Sequence, residues 1–66
     1  MSNFEILARI RLAYRKEYAA TGSVCRALCA ANRVAFEYAT SNGEAVALRR
    51  QALRRYHYEV SDIQEC

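Results

Sequence analysis

The chain predicts an all-α fold, an antiparallel helical hairpin or small three-helix bundle, and three observations carry that expectation. It has no proline and only two glycines in 66 residues, so little interrupts helical backbone. Alanine occurs twelve times, and Leu, Arg and Glu are frequent, a composition of strong helix formers. The two glycines stand in Thr21-Gly22-Ser23 and Ser41-Asn42-Gly43-Glu44, which divide the chain into three segments of helical period. Helices are expected over about 2–20, 23–41 and 44–60, as one domain over 1–60 with an acidic tail over 61–66.

The first helix opens on a capping box. Ser2 caps the helix, and Glu5 reaches back to the cap's backbone N–H. Ile6, Leu7, Ile10, Ala13, Tyr14 and Tyr18 then share one stripe at 100° per residue. Arg9, Arg15 and Lys16 lie opposite. Leu12 sits on that polar side, either as a scattered surface leucine or as a contact for a second chain. Gly22 suits the left-handed position that ends a helix, and Ser23 suits the next N-cap. So short a link makes the first two helices near-antiparallel neighbours.

The middle segment is apolar around more than half of its helical wheel. One stripe holds Val24, Ala27, Leu28, Ala31, Val34, Ala35 and Tyr38; a second ridge holds Cys25, Cys29 and Phe36. The first should pack on helix one. The second needs helix three or another copy of the protein. Arg33 and Glu37 have i,i+4 ion-pair spacing. Ser41 and Glu44 again have capping-box spacing. Helix three then places Ala45, Ala52, Leu53, Tyr56 and Val60 on its apolar side, with Val46 and Leu48 at the margins. Arg50, Arg54 and His57 line its far side, with Tyr58 close by.

A 66-residue chain buries only about 60% of its unfolded surface and needs reinforcement. Three cysteines give no paired framework. Cys25 and Cys29, one turn apart with parallel side chains, suit a buried thiol ridge better than a disulfide, which points to a reducing, cytoplasmic setting. The apolar excess of the middle segment, with Leu12, Cys25, Cys29 and Phe36 as interface residues, predicts a symmetric homodimer that completes the core. No apolar run is long enough to cross a membrane, and no secretory signal pattern opens the sequence.

Chemistry-bearing patterns are few. Cys25, Cys29, His57 and Cys66 lack the paired spacing of a structural zinc site, so no metal or cofactor is expected. No carboxylate pair, phosphate loop or nucleophile motif occurs, and the chain is too short to wall off a cleft for a small-molecule substrate. A catalytic role is not expected. The one dense basic cluster is Arg49-Arg50-Gln51-Ala52-Leu53-Arg54-Arg55-Tyr56-His57-Tyr58, within a net charge of +3. Arg50, Arg54 and His57 suit a phosphate backbone, with Tyr58 stacking on a base. The same cations suit a solvated helix end, with Arg55–Glu59 as an ordinary ion pair, or an acidic protein surface.

The run from Tyr18 to Asn32, with Thr21-Gly22-Ser23-Val24 at its centre, resembles the opening of phage and transposase helix-turn-helix modules. That resemblance implies that Gly22 ends a helix, Leu28 is core, and Asn32 stands in for the turn glycine, with a recognition helix starting near Arg33 or Val34. The turn glycine is missing, and only Arg33, Glu37 and Thr40 would meet base edges. In size and style the chain is also similar to the small all-α early-region proteins of lambdoid phages, which are non-enzymatic and act by binding. The functional expectation is a regulatory interaction protein that binds a protein partner and self-associates. The alternative is a DNA-binding protein using its basic third helix or a divergent helix-turn-helix. Asn32 separates the two, since it either continues a long helix or turns the chain.

Overall fold

The computed structural model describes residues 2–54. Within them lie three α-helices, α1 (Asn3–Thr21), α2 (Val24–Tyr38) and α3 (Asn42–Leu53), and no strand. The expected all-α bundle is what the described residues form. Tyr56, His57, Tyr58, Val60, Ile63, Cys66 and the Arg55–Glu59 pair lie outside them.

Each helix starts where a side chain can replace a missing backbone partner. The Ser2 hydroxyl accepts from the Glu5 N–H at 3.2 Å, and a Glu5 carboxylate oxygen accepts from the Ser2 N–H at 3.4 Å, which closes the capping box. The Ser23 hydroxyl accepts from Arg26 N–H. Gly22, at φ 69°, ends α1 in the left-handed region, and its N–H donates to the Tyr18 carbonyl. Thr21 secures the same corner: its hydroxyl donates to the Glu17 carbonyl and accepts from Ser23 N–H.

The second corner differs from expectation. α2 stops at Tyr38, not near 41, and α3 begins at Asn42, not 44. Ala39 turns to extended backbone, and both the N–H and the hydroxyl of Thr40 donate to Glu44 Oε1, at 2.6 and 3.0 Å. Ser41 is the N-cap of α3 and accepts from Glu44 N–H at 3.1 Å. Glu44 therefore reaches one residue past the cap, and two successive polar residues draw the chain out of the helix. With Ser41 as cap, Asn42 and Gly43 become the first helical residues instead of a turn.

The three helices meet around one core of Ile6, Leu7, Ile10 and Tyr14 from α1, Ala27, Leu28, Ala31 and Ala35 from α2, and Ala45, Leu48, Ala52 and Leu53 from α3. The α1–α2 pair is the most extensive. α2 is mostly alanine on its buried side, so α1 and α3 approach it closely and lay their larger side chains against it. Leu48, expected at the margin of α3, is buried instead: at three residues beyond Ala45 and four before Ala52 it belongs to their face. Tyr18, expected in the α1 stripe, is largely exposed and stacks on Tyr14, with ring centroids 6.0 Å apart.

α2 runs unbroken through Asn32, so the turn implied there by the helix-turn-helix resemblance does not form. Asn32 Oδ1 accepts instead from an Arg49 guanidinium N–H of α3 at 3.1 Å. A second cross-helix bond runs from Arg11 Nε to the Ala52 carbonyl at 3.0 Å, joining α1 to the last turn of α3.

Candidate interaction surface

α2 positions the first surface. Residues 27, 28, 31 and 35 commit one side of the helix to the core, and the period of 3.6 then turns Cys25, Cys29 and Phe36 away from it. The structure places Phe36 at 50% exposure, Cys29 exposed and Cys25 half-buried. Helix three therefore does not cover this ridge. Both thiols are free. Among the described residues no group of three His, Cys, Asp or Glu side chains is placed to hold a metal ion.

Leu12 belongs to a different surface, so the four expected interface residues are not brought together. It is 54% exposed and lines a shallow open groove of about 230 Å³ between α1 and α2. Arg9, Leu12, Ala13 and Lys16 form one wall; Val34, Glu37 and Tyr38 form the other. The wall on α1 follows i, i+3, i+4 and i+7, so Leu12 stands between two cations along the helix axis. Sequence reasoning noticed Leu12 on the polar side but not its partners across the groove. The signal was Arg9-x-x-Leu12-x-x-x-Lys16, a helical ridge with a leucine between two cations.

The basic residues separate into two kinds. Arg49 and Arg11 are half-buried and engaged across helices. Arg33, Arg50 and Arg54 are exposed, and among the described residues no acceptor or carboxylate pairs with them. The expected Arg33–Glu37 ion pair does not close. His57 and Tyr58 lie outside the described residues. The N–H and hydroxyl of Thr40 hold the Glu44 carboxyl below the ordinary carboxylate range by stabilising its ionised form.

No family model, curated protein or solved structure matches this chain. No helix among the described residues is long and apolar enough to cross a membrane.

Proposed function

We propose that the chain is a small non-enzymatic interaction protein that self-associates and binds a protein partner, with the Phe36 ridge of α2 as its contact surface. The observation that carries this reading is Phe36 at 50% exposure on the same face of α2 as exposed Cys29, two turns away, on a helix whose opposite side is already packed. An exposed aromatic ring in line with small side chains along one helix face is the kind of ridge a symmetric helix–helix contact buries. The likeness of type to small phage early-region proteins, which act by binding, agrees with it. Sedimentation equilibrium across the micromolar range tests it. The wild-type chain should show a reversible dimer, and Phe36→Glu should shift the chain to monomer while its helical circular dichroism is kept. A folded wild-type monomer at every concentration would remove the self-association reading.

DNA binding is the second reading, and the exposed cations Arg33, Arg50 and Arg54, which pair with no carboxylate among the described residues, favour it. Residues 2–54 carry nine cations against four carboxylates. Titration with duplex DNA across a salt series should then give a log–log affinity slope of about −0.9 for each phosphate engaged. Replacing Arg50 and Arg54 with Ala should weaken binding about equally for all sequences. Absence of binding at about 50 mM salt, where such contacts are strongest, would end this reading.

A further inference from the structure

We propose that the outer face of α1 docks on an anionic phospholipid surface, with Phe4 and Leu12 entering the headgroup layer and Arg9, Arg15 and Lys16 meeting the lipid phosphates.

The face is defined by what α1 leaves outside the core. Ile6, Leu7, Ile10 and Tyr14 are buried. The helical period turns positions 4, 8, 9, 12, 15 and 16 to the opposite side, within an arc of about 140°. All six are exposed. Phe4, Ala8 and Leu12 fall at i, i+4 and i+8, so they form a ridge about 12 Å long. Phe4 is 76% exposed and Leu12 54%, which makes them the most exposed large apolar side chains among the described residues.

The charges on this face are of one sign. Arg15 continues the ridge, and Arg9 and Lys16 run beside it, seven residues apart. Among the described residues none of the three cations pairs with a carboxylate. Glu5 lies on the same side, but its Oε1 already accepts from the Ser2 N–H at 3.4 Å. Arg11 Nε holds the Ala52 carbonyl at 3.0 Å, so the end of α3, followed by exposed Arg54, lies against the same helix.

This mixture separates a lipid surface from other partners. The core of a protein interface is depleted in charge, whereas here cations interleave with the apolar ridge. A duplex backbone rewards the cations but leaves Phe4 and Leu12 in water. A phospholipid surface uses both, with Phe and Leu at the boundary of headgroups and acyl chains and Lys and Arg against anionic lipid. The core stays packed on the other side of α1, so the bundle docks folded and lies on the bilayer without spanning it. Two apolar anchors make the contact weak and reversible, and its strength follows the anionic lipid content.

The chain has no tryptophan, so Phe4→Trp installs a single reporter of the contact. The full-length variant is titrated at low salt with vesicles of equal parts phosphatidylserine and phosphatidylcholine, and with vesicles of phosphatidylcholine alone. The expected result is a blue-shifted emission, quenched by brominated acyl chains, on the anionic vesicles only, and reversed by added salt. In vesicle co-sedimentation Phe4→Ala should cut binding about tenfold. Arg15→Gln with Lys16→Gln should cut it about fivefold for each cation removed. All of these positions are exposed, so helical circular dichroism should be kept. Phe36→Glu should keep the tryptophan shift, which separates this outcome from self-association. An unshifted emission, equal shifts on neutral vesicles, or co-sedimentation indifferent to Phe4→Ala would each overturn the proposal. Duplex DNA bound more tightly than the anionic vesicles at equal phosphate concentration, with no dependence on Phe4, would also overturn it and assign the cations to nucleic acid.

Discussion

Ile10 is fully buried at 0% exposure and is the largest such side chain, which makes it the sharpest probe of the bundle. Ile10→Val removes one methylene, worth about 0.8 kcal/mol in transfer alone. With the space left behind, the loss should be about 0.5–1.5 kcal/mol, and Ile10→Ala should lose about 2–5 kcal/mol. A chain of this length has a total stability of about 3–10 kcal/mol. Valine should therefore leave the protein folded, and alanine should take it to the edge of unfolding. At roughly 4–8 °C per kcal/mol for a domain of this size, Ile10→Val should lower Tm by about 2–12 °C in a thermal circular-dichroism melt. Phe4, six residues earlier on the same helix, is 76% exposed. Phe4→Ala deletes a far larger side chain, yet should shift stability by no more than about 0.5 kcal/mol. A Phe4→Ala loss equal to or larger than that of Ile10→Val would refute the placement of the core on this side of α1.

Three further outcomes follow from the corners and cross-helix bonds. Gly22 has φ 69° and open space around it, so Gly22→Ala should lose roughly 1–2 kcal/mol from backbone strain alone, and Gly22→Asn less. Urea midpoints with an unchanged slope would show it. Asn32 and Arg49 should show a coupling of about 0.5–1.5 kcal/mol in a double-mutant cycle of Asn32→Ala and Arg49→Met; zero coupling would remove the bond as a stabilising contact. Glu44 is held below its ordinary range, so its stabilisation is full above the unfolded value of about 4.3. It is lost as pH falls through the lower folded value. Glu44→Gln should flatten the acid limb of a urea-midpoint profile, and an unchanged limb would remove Glu44 from that role.

The helices were legible because their signals are local. Ser2 with Glu5, Gly22 and Ser23 each act within four residues, so pattern and structure agree at those ends to within a residue. The corner at 39–41 was readable in principle: Ser41 as cap with Glu44 three residues on already places the helix start at Asn42. The Asn-Gly pair suggested a turn instead, and Thr40 as a second donor to Glu44 carries no periodic signal. Leu48 was misplaced because its burial depends on how α3 rotates against the other helices, a tertiary choice. The residues expected at an interface stand out in the sequence as apolar positions away from the core stripes, but not as belonging to separate surfaces. Leu12 acquires its neighbours Val34, Glu37 and Tyr38 from a different helix, and no spacing along the chain encodes that meeting.

The buried side of α2 is mostly small, with Leu28 as its large fully packed side chain. Three alanines, Ala27, Ala31 and Ala35, offer α1 and α3 few projections to lock against, and Ala45 and Ala52 continue the same texture on α3. Apolar contact on such a surface resists separation of the helices more than sliding along their axes. Longitudinal register then depends more on directional contacts, of which two cross between helices among the described residues: Arg49 to Asn32, and Arg11 to the Ala52 carbonyl. These bonds act as detents on a low-friction bearing. Releasing both should leave Leu7, Leu28, Leu48 and Leu53 to hold the register through their packing alone, and should weaken resistance to a shear of α3 along its neighbours before the helices separate.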